Sequence, residues 1–71
     1  NQLKAFSMKL FLSFNRDGSR KYINRVTGKS MIVSQSPIDH VTRLYRSNGQ
    51  LAFQSLDRAK VFSILEDHLA H

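Results

Sequence analysis

The sequence predicts a small α+β domain: an antiparallel sheet of about four strands packed against one long C-terminal amphipathic helix. Two glycine turn signals divide the N-terminal half into alternating segments, and an apolar stripe at helical spacing covers the C-terminal end. With 41% hydrophobic residues and a single proline, the composition is typical of a folded chain. At 71 residues, the chain is expected to form a single domain, 1–71.

The first half is predicted to be a three-stranded meander. Asp17-Gly18 and Thr27-Gly28 each separate two alternating segments, and such pairs supply the positive backbone angles that short hairpin loops need. The strands are expected at about 8–15, 19–26 and 29–35.

Two-residue loops at both glycines predict one register for this meander. Leu12 then pairs with Ile23 and Ile23 with Ile32 on a buried face, flanked by Leu10 and Phe14. The opposite face combines aromatic, amide and cationic side chains, namely Lys9, Phe11, Ser13, Arg20, Tyr22, Asn24, Lys29, Met31 and Val33.

The segment after the meander has two interpretations. Ser36-Pro37 is a helix-start signal, and the spacing that follows predicts a short helix at 37–47. Residues 41–46 are also rich in strand formers, and 47–49 could form a hairpin turn, so a strand is the alternative. In both cases we expect a strand over 50–54.

The C-terminal segment predicts an amphipathic helix across the buried face of the sheet. Ser55 is the expected N-terminal cap, and Asp57 favours the positive end of the helix. The apolar stripe consists of Leu56, Ala59, Val61, Phe62, Ile64, Leu65 and Leu69.

The charge of the chain is distributed unevenly. The net charge is +6, and residues 1–54 carry +7 while the remaining residues carry −1. A small domain with one strongly cationic region usually meets an anionic partner. We therefore expect nucleic acid or an acidic protein surface as the partner.

The mixed face of the meander predicts a non-catalytic nucleic-acid-binding module, for DNA or RNA, located in the cytoplasm, nucleus or nucleoid. Cations follow phosphates and flat rings stack on bases. The candidate binding residues are Lys9, Phe11, Arg16, Arg20, Lys21, Tyr22, Asn24, Arg25, Lys29, Arg43 and Arg46. In the alternative, Phe11, Met31 and Val33 are core residues, and the domain is a protein-interaction module that docks an acidic partner or forms a homo-oligomer.

Other functional classes have little support in the sequence. The chain has no cysteine, which excludes disulfides, thiolate zinc ligands and a thiol nucleophile. Glu66 and Asp67 are adjacent, so they do not oppose each other as an acid and base. The longest apolar run, 10–12, is far below the roughly 20 residues that span a bilayer. We therefore expect no enzyme activity, no cofactor, no metal and no membrane partner.

The element order resembles that of known single-strand-binding domains. The predicted antiparallel sheet ends in a strand over 50–54, and an amphipathic helix follows it. This order of elements is similar to that of the single-strand-binding repeats of the purine-rich-element type and of coactivator-type domains. The resemblance is architectural only.

Overall fold

The computed structural model of the protein describes residues 10–70, with side chains from Leu12 onward. Within this range lie β1 (Leu10–Phe14), β2 (Arg20–Asn24), β3 (Ser30–Gln35), β4 (Thr42–Arg46), β5 (Leu51–Ser55) and α1 (Arg58–Ala70). The strands form one antiparallel sheet in the order of the sequence. This α+β architecture confirms the predicted fold class, with five strands in place of about four.

The first turn is a three-residue loop, not the predicted two-residue loop. Asn15 N–H donates to the Ser19 carbonyl oxygen at 2.9 Å, and Gly18 N–H donates to the Asn15 carbonyl oxygen at 3.1 Å. Gly18 has a φ of 89°, as expected for the left-handed residue that closes a three-residue hairpin. The extra loop residue shifts the register by one, so Leu12 pairs with Tyr22 rather than with Ile23.

The second turn is a four-residue loop at 25–28. Asn24 N–H donates to the Lys29 carbonyl oxygen at 2.8 Å, which sets Ile23 opposite Ser30 instead of the predicted Ile32. A shift by two residues leaves every side chain on its original face. Ile23 and Ile32 therefore share a face as predicted, but Leu12 lies on the other one.

The short helix predicted at 37–47 is absent, and the strand alternative is confirmed. Ser36 does behave as a cap: its Oγ accepts from the N–H groups of Ile38 at 3.2 Å and Asp39 at 3.4 Å. The chain then reverses, because Ser36 N–H donates to the Val41 carbonyl oxygen at 3.1 Å. β4 follows, and it pairs with β3 on one side and β5 on the other.

The C-terminal helix is confirmed, but its N-terminal cap is Asp57 rather than the predicted Ser55. Asp57 Oδ1 accepts from Lys60 N–H at 3.2 Å, while Ser55 Oγ accepts from Asp57 N–H at 3.0 Å. Leu56 is 73% exposed and precedes the helix, so it does not belong to the buried stripe. Ala59 is exposed too.

The core lies between α1 and one face of the sheet. Among the described residues, six apolar side chains are buried to 3% exposure or less: Met31, Val33, Leu44, Val61, Leu65 and Leu69. Tyr22, Phe53, Phe62 and Ile64 pack around them. The prediction that Leu12, Ile23 and Ile32 form the buried face is therefore wrong. Because β4 and β5 add Leu44 and Phe53 to the side of Met31 and Val33, that side is the one that receives the helix.

Candidate functional site on the open face of the sheet

The side of the sheet turned away from α1 is called the open face here. Within residues 10–70, no element packs against it, since the only helix contacts β2 to β5 from the other side. The cross-strand register places on it Ser13, Lys21, Ile23, Ser30, Ile32, Ser34, Arg43, Tyr45 and Gln54. Most of these side chains are half-buried by their neighbours in the sheet.

The described strands have no acidic residue. They carry four basic residues, Arg20, Lys21, Arg43 and Arg46, whereas all five acidic residues of the chain are in turns, at the helix cap or on α1. The positive charge of the domain is thus concentrated in the sheet. An anion that approaches the open face meets no carboxylate on the strands themselves.

Arg43 is held against the open face by two hydrogen bonds. Its Nη2 donates to Asp39 Oδ2 at 2.9 Å, and its Nε donates to Gln54 Oε1 at 3.2 Å on the neighbouring strand. The hydrogen bond from Arg43, followed by that from Val41 N–H, lowers the pKa of Asp39 to about 2. The same contact raises the pKa of Arg43. The guanidinium is therefore fixed in place, and part of its charge is offset by Asp39.

A concavity of about 250 Å³ lies on the open face. The sheet contributes Ile32, Ser34 and Tyr45 to its lining, and turns contribute Asn15, Asp17, Ser19 and Gly49. Both cations of the open face are register neighbours of this lining, because Lys21 pairs with Ile32 and Arg43 with Ser34. Lys21 and Arg43 thus flank the part of the lining formed by Ile32 and Ser34, and Tyr45 lies on β4, two residues from Arg43.

Asp17 is held in this concavity by a short chain of hydrogen bonds. Its Oδ1 accepts from Ser19 Oγ at 2.7 Å and from Ser19 N–H at 2.9 Å, and Asn15 Nδ2 donates to Ser19 Oγ at 2.8 Å. The Ser19 hydroxyl, followed by the Ser19 N–H, holds the pKa of Asp17 below its usual range. The carboxyl is therefore an ionised acceptor at neutral pH.

The predicted binding residues do not form one surface. Lys21 and Arg43 lie on the open face. Arg16, Arg25 and Lys29 are exposed residues of the first two turns, so they stand at the ends of the sheet rather than on its face. These turns lie at opposite ends of β2.

Four further predicted residues lie on the helix side of the sheet. Tyr22 packs edge-on against Phe62, with ring centroids 6.0 Å apart. Asn24 is 4% exposed, and its Nδ2 donates to the Leu69 carbonyl oxygen at the end of α1. Arg20 extends over the Phe14 ring, 5.8 Å from its centroid, and Arg46 pairs with Met31. The prediction that Tyr22 and Asn24 lie on an exposed basic face is thus wrong.

Two predicted residues cannot be placed on either face. Lys9 lies outside the described residues, and so does the side chain of Phe11, although its backbone pairs with Ile23.

Tyr45 and Gln54 were missed as functional candidates. Tyr45 could have been predicted from the strand interpretation of 41–46, because side chains alternate along a strand and Arg43 and Tyr45 then lie on the same side.

The described part of the chain has no group of candidate metal ligands and no membrane-spanning helix. Among residues 10–70, no three His, Cys, Asp or Glu residues are grouped so that they could hold a metal ion. In the same range, no helix has the length and apolar character needed to cross a membrane. Comparison of the chain with protein-family models, curated proteins and solved structures finds no match in any of the three.

Proposed function

We propose that this domain is a non-catalytic module that binds single-stranded nucleic acid on the open face. The observation that carries the proposal is that Tyr45 shares the open face with Lys21 and Arg43, on strands that have no acidic residue. Single-strand binding needs a ring on which a base stacks and cations that contact the phosphates on either side. The open face supplies both in one place.

Each residue has a separate role in this proposal. Tyr45 is the stacking ring, and Lys21 contacts a phosphate through its ammonium group. Arg43 contacts a second phosphate with the N–H groups that Asp39 and Gln54 leave unused, since a guanidinium has five donors. Ile23 and Ile32 extend the apolar surface beside the ring. A duplex, whose bases are already stacked and paired, has no free base to offer the ring, so single strands are the preferred ligand.

The proposal is tested by titrating a fluorescent 12-nucleotide thymine strand with the domain at several salt concentrations. Lys21→Ala should weaken binding and make the slope of log K against log salt shallower by about 0.7, because one phosphate contact is lost. Tyr45→Ala should weaken binding by about 1–3 kcal/mol with an unchanged slope, because stacking releases no counterions.

The helix side of the sheet provides matched controls. Lys60 is an exposed lysine on α1, and Phe14 is an aromatic residue, 69% exposed, that pairs with Arg20 on the helix side. Lys60→Ala and Phe14→Ala should therefore leave affinity nearly unchanged. Absence of binding at low salt, or equal losses for Phe14→Ala and Tyr45→Ala, would show that the open face is not the binding surface.

A second candidate function, self-association, is favoured by one observation. α1 packs on β2 to β5, and Leu12 and Phe14 on the edge strand β1 are 40% and 69% exposed. Exposed apolar residues on an edge strand are a suitable surface for a second copy of the chain. Sedimentation equilibrium over a range of concentrations tests this function, which predicts a dimer that Phe14→Ser converts to a monomer. A monomer at all concentrations would exclude it.

A further inference from the structure

The concavity beside Tyr45 contains groups that the stacking role does not use. Binding of phosphates and stacking on a ring need no carboxylate, yet Asp17 lines the hollow together with Asn15 and Ser34. An ionised carboxylate near a phosphate-binding surface lowers non-specific affinity by repulsion. The carboxylate in the hollow indicates a role in base recognition, because polar groups that contact the edge of a base discriminate between bases.

The acceptor capacity of Asp17 is defined by its hydrogen bonds. Oδ1 already accepts two bonds from Ser19, which use both of its lone pairs, whereas Oδ2 keeps its own. These bonds also hold the carboxyl in its ionised form at neutral pH. The hollow therefore presents a fixed acceptor with negative charge and no proton to donate.

Only one natural base matches such an acceptor along its Watson–Crick edge. Guanine presents two adjacent donors, N1–H and the N2 amino group. Adenine and cytosine place a ring nitrogen lone pair beside their amino group, and thymine and uracil place a single N–H between two carbonyl oxygens. Each of those lone pairs would face the carboxylate and repel it.

We propose that the concavity on the open face is a base pocket selective for guanine, in which the two lone pairs of Asp17 Oδ2 accept from the N1–H and N2 amino groups. The inference rests on the proposed single-strand function. Tyr45 stacks on the base, and the Ser34 hydroxyl supplies a donor for the guanine O6 oxygen. Lys21, which pairs with Ile32, and Arg43, which pairs with Ser34, contact the flanking phosphates.

Fluorescence anisotropy with four single-stranded probes tests this selectivity. Each probe is a thymine 12-mer, unmodified or with one central guanine, adenine or inosine, so that no guanine run can self-associate. The guanine probe should bind about 5-fold to 150-fold more tightly than the thymine probe, as for a well-made pair of base contacts. Inosine lacks the N2 amino group and should fall between them, while adenine should bind no better than thymine.

Variants of Asp17 identify the residue responsible. Asp17→Asn keeps an oxygen that can accept from Ser19, so the turn is retained, but it replaces the charged acceptor by an amide. The guanine preference should disappear, and affinity for the thymine probe should stay equal or rise. The matched control is Asp57→Asn at the helix cap, which should leave the preference intact.

The outcomes separate the guanine pocket from the single-strand binding on which it rests. Equal affinities for guanine, adenine and thymine probes overturn the guanine pocket and leave single-strand binding standing. A guanine preference that survives Asp17→Asn, or equal binding of guanine and inosine, also overturns it. Absence of binding to any probe overturns both proposals. Because the inosine comparison uses the unaltered protein, the test does not depend on folding of the variant.

Discussion

The two faces of the sheet are made by the same strands, yet they differ in what lies on them. On the helix side, Met31, Val33 and Leu44 are 3% exposed or less beneath α1. On the open face, their immediate neighbours Ile32 and Tyr45 are only half-buried, and Lys21 and Arg43 stand beside them. Alternation of side chains along each strand therefore separates two roles: one face of the sheet stabilises the fold, and the other remains available for a ligand.

The largest expected difference between the faces is in stability. Leu65→Ala removes a side chain that is 1% exposed and leaves a cavity, so unfolding free energy should fall by about 2–5 kcal/mol. Ile32→Ala on the open face should cost about 1 kcal/mol, because Ile32 is only half-buried and water fills the space. Urea denaturation measures both. Equal losses would contradict the assignment of the faces and indicate a covered open face in solution.

The second expected effect concerns the link between the sheet and the end of α1. Asn24 donates to the Leu69 carbonyl oxygen and accepts from the Val26 and Thr27 N–H groups. Asn24→Ala leaves the Leu69 carbonyl oxygen without its partner in a buried site, so we expect a loss of about 1–3 kcal/mol.

Amide hydrogen exchange measures which part of the chain loses stability. The amides in the last turn of α1 should exchange faster in Asn24→Ala. The matched control is Asn48→Ala in the exposed final turn, where Asn48 accepts only from Gln50 N–H. It should cost less than Asn24→Ala. An unchanged exchange rate in α1 would mean that the Asn24 contact does not hold the helix end.

The third expected effect is a gain of function on the open face. Asp39→Asn removes the negative charge that offsets Arg43, so the guanidinium attracts phosphate more strongly. Affinity for a single strand should rise a few-fold, and its salt dependence should steepen. Asp57→Asn, a change of equal charge on the helix side, should produce a smaller rise. Equal gains would indicate a general charge effect rather than release of Arg43.

The smallest expected effect is the titration of Asp39. Carboxyl-carbon NMR should give a midpoint of about 2, and Arg43→Gln should return it toward the ordinary value of 3.8. Because the folded pKa is depressed, the pair stabilises the fold above the ordinary pKa, and this contribution is lost as pH falls toward about 2. An unchanged midpoint in Arg43→Gln would show that the pair does not form in solution.

Much of the local structure could be predicted from the sequence. Glycines at 18, 28 and 49 marked three of the turns, because positive φ values of 79° to 90° favour glycine. The helix was evident from its stripe, in which Val61, Leu65 and Leu69 recur every fourth position. The position of the candidate site was predicted less well. Lys21 and Arg43 lie on the open face, whereas Tyr22 and Asn24, which were predicted to be exposed, lie on the helix side.

What the sequence determined by itself was local: the turns, the C-terminal helix, the alternation along each strand and a positive charge concentrated outside the helix. What only the tertiary structure decided was which face of the sheet received the helix. That choice depends on loop length, because one extra residue between Asn15 and Ser19 turns β1 over relative to β2. It also depends on β4 and β5, whose Leu44 and Phe53 complete an apolar surface with Met31 and Val33. Burial is a property of all strands together, so no single segment could reveal it.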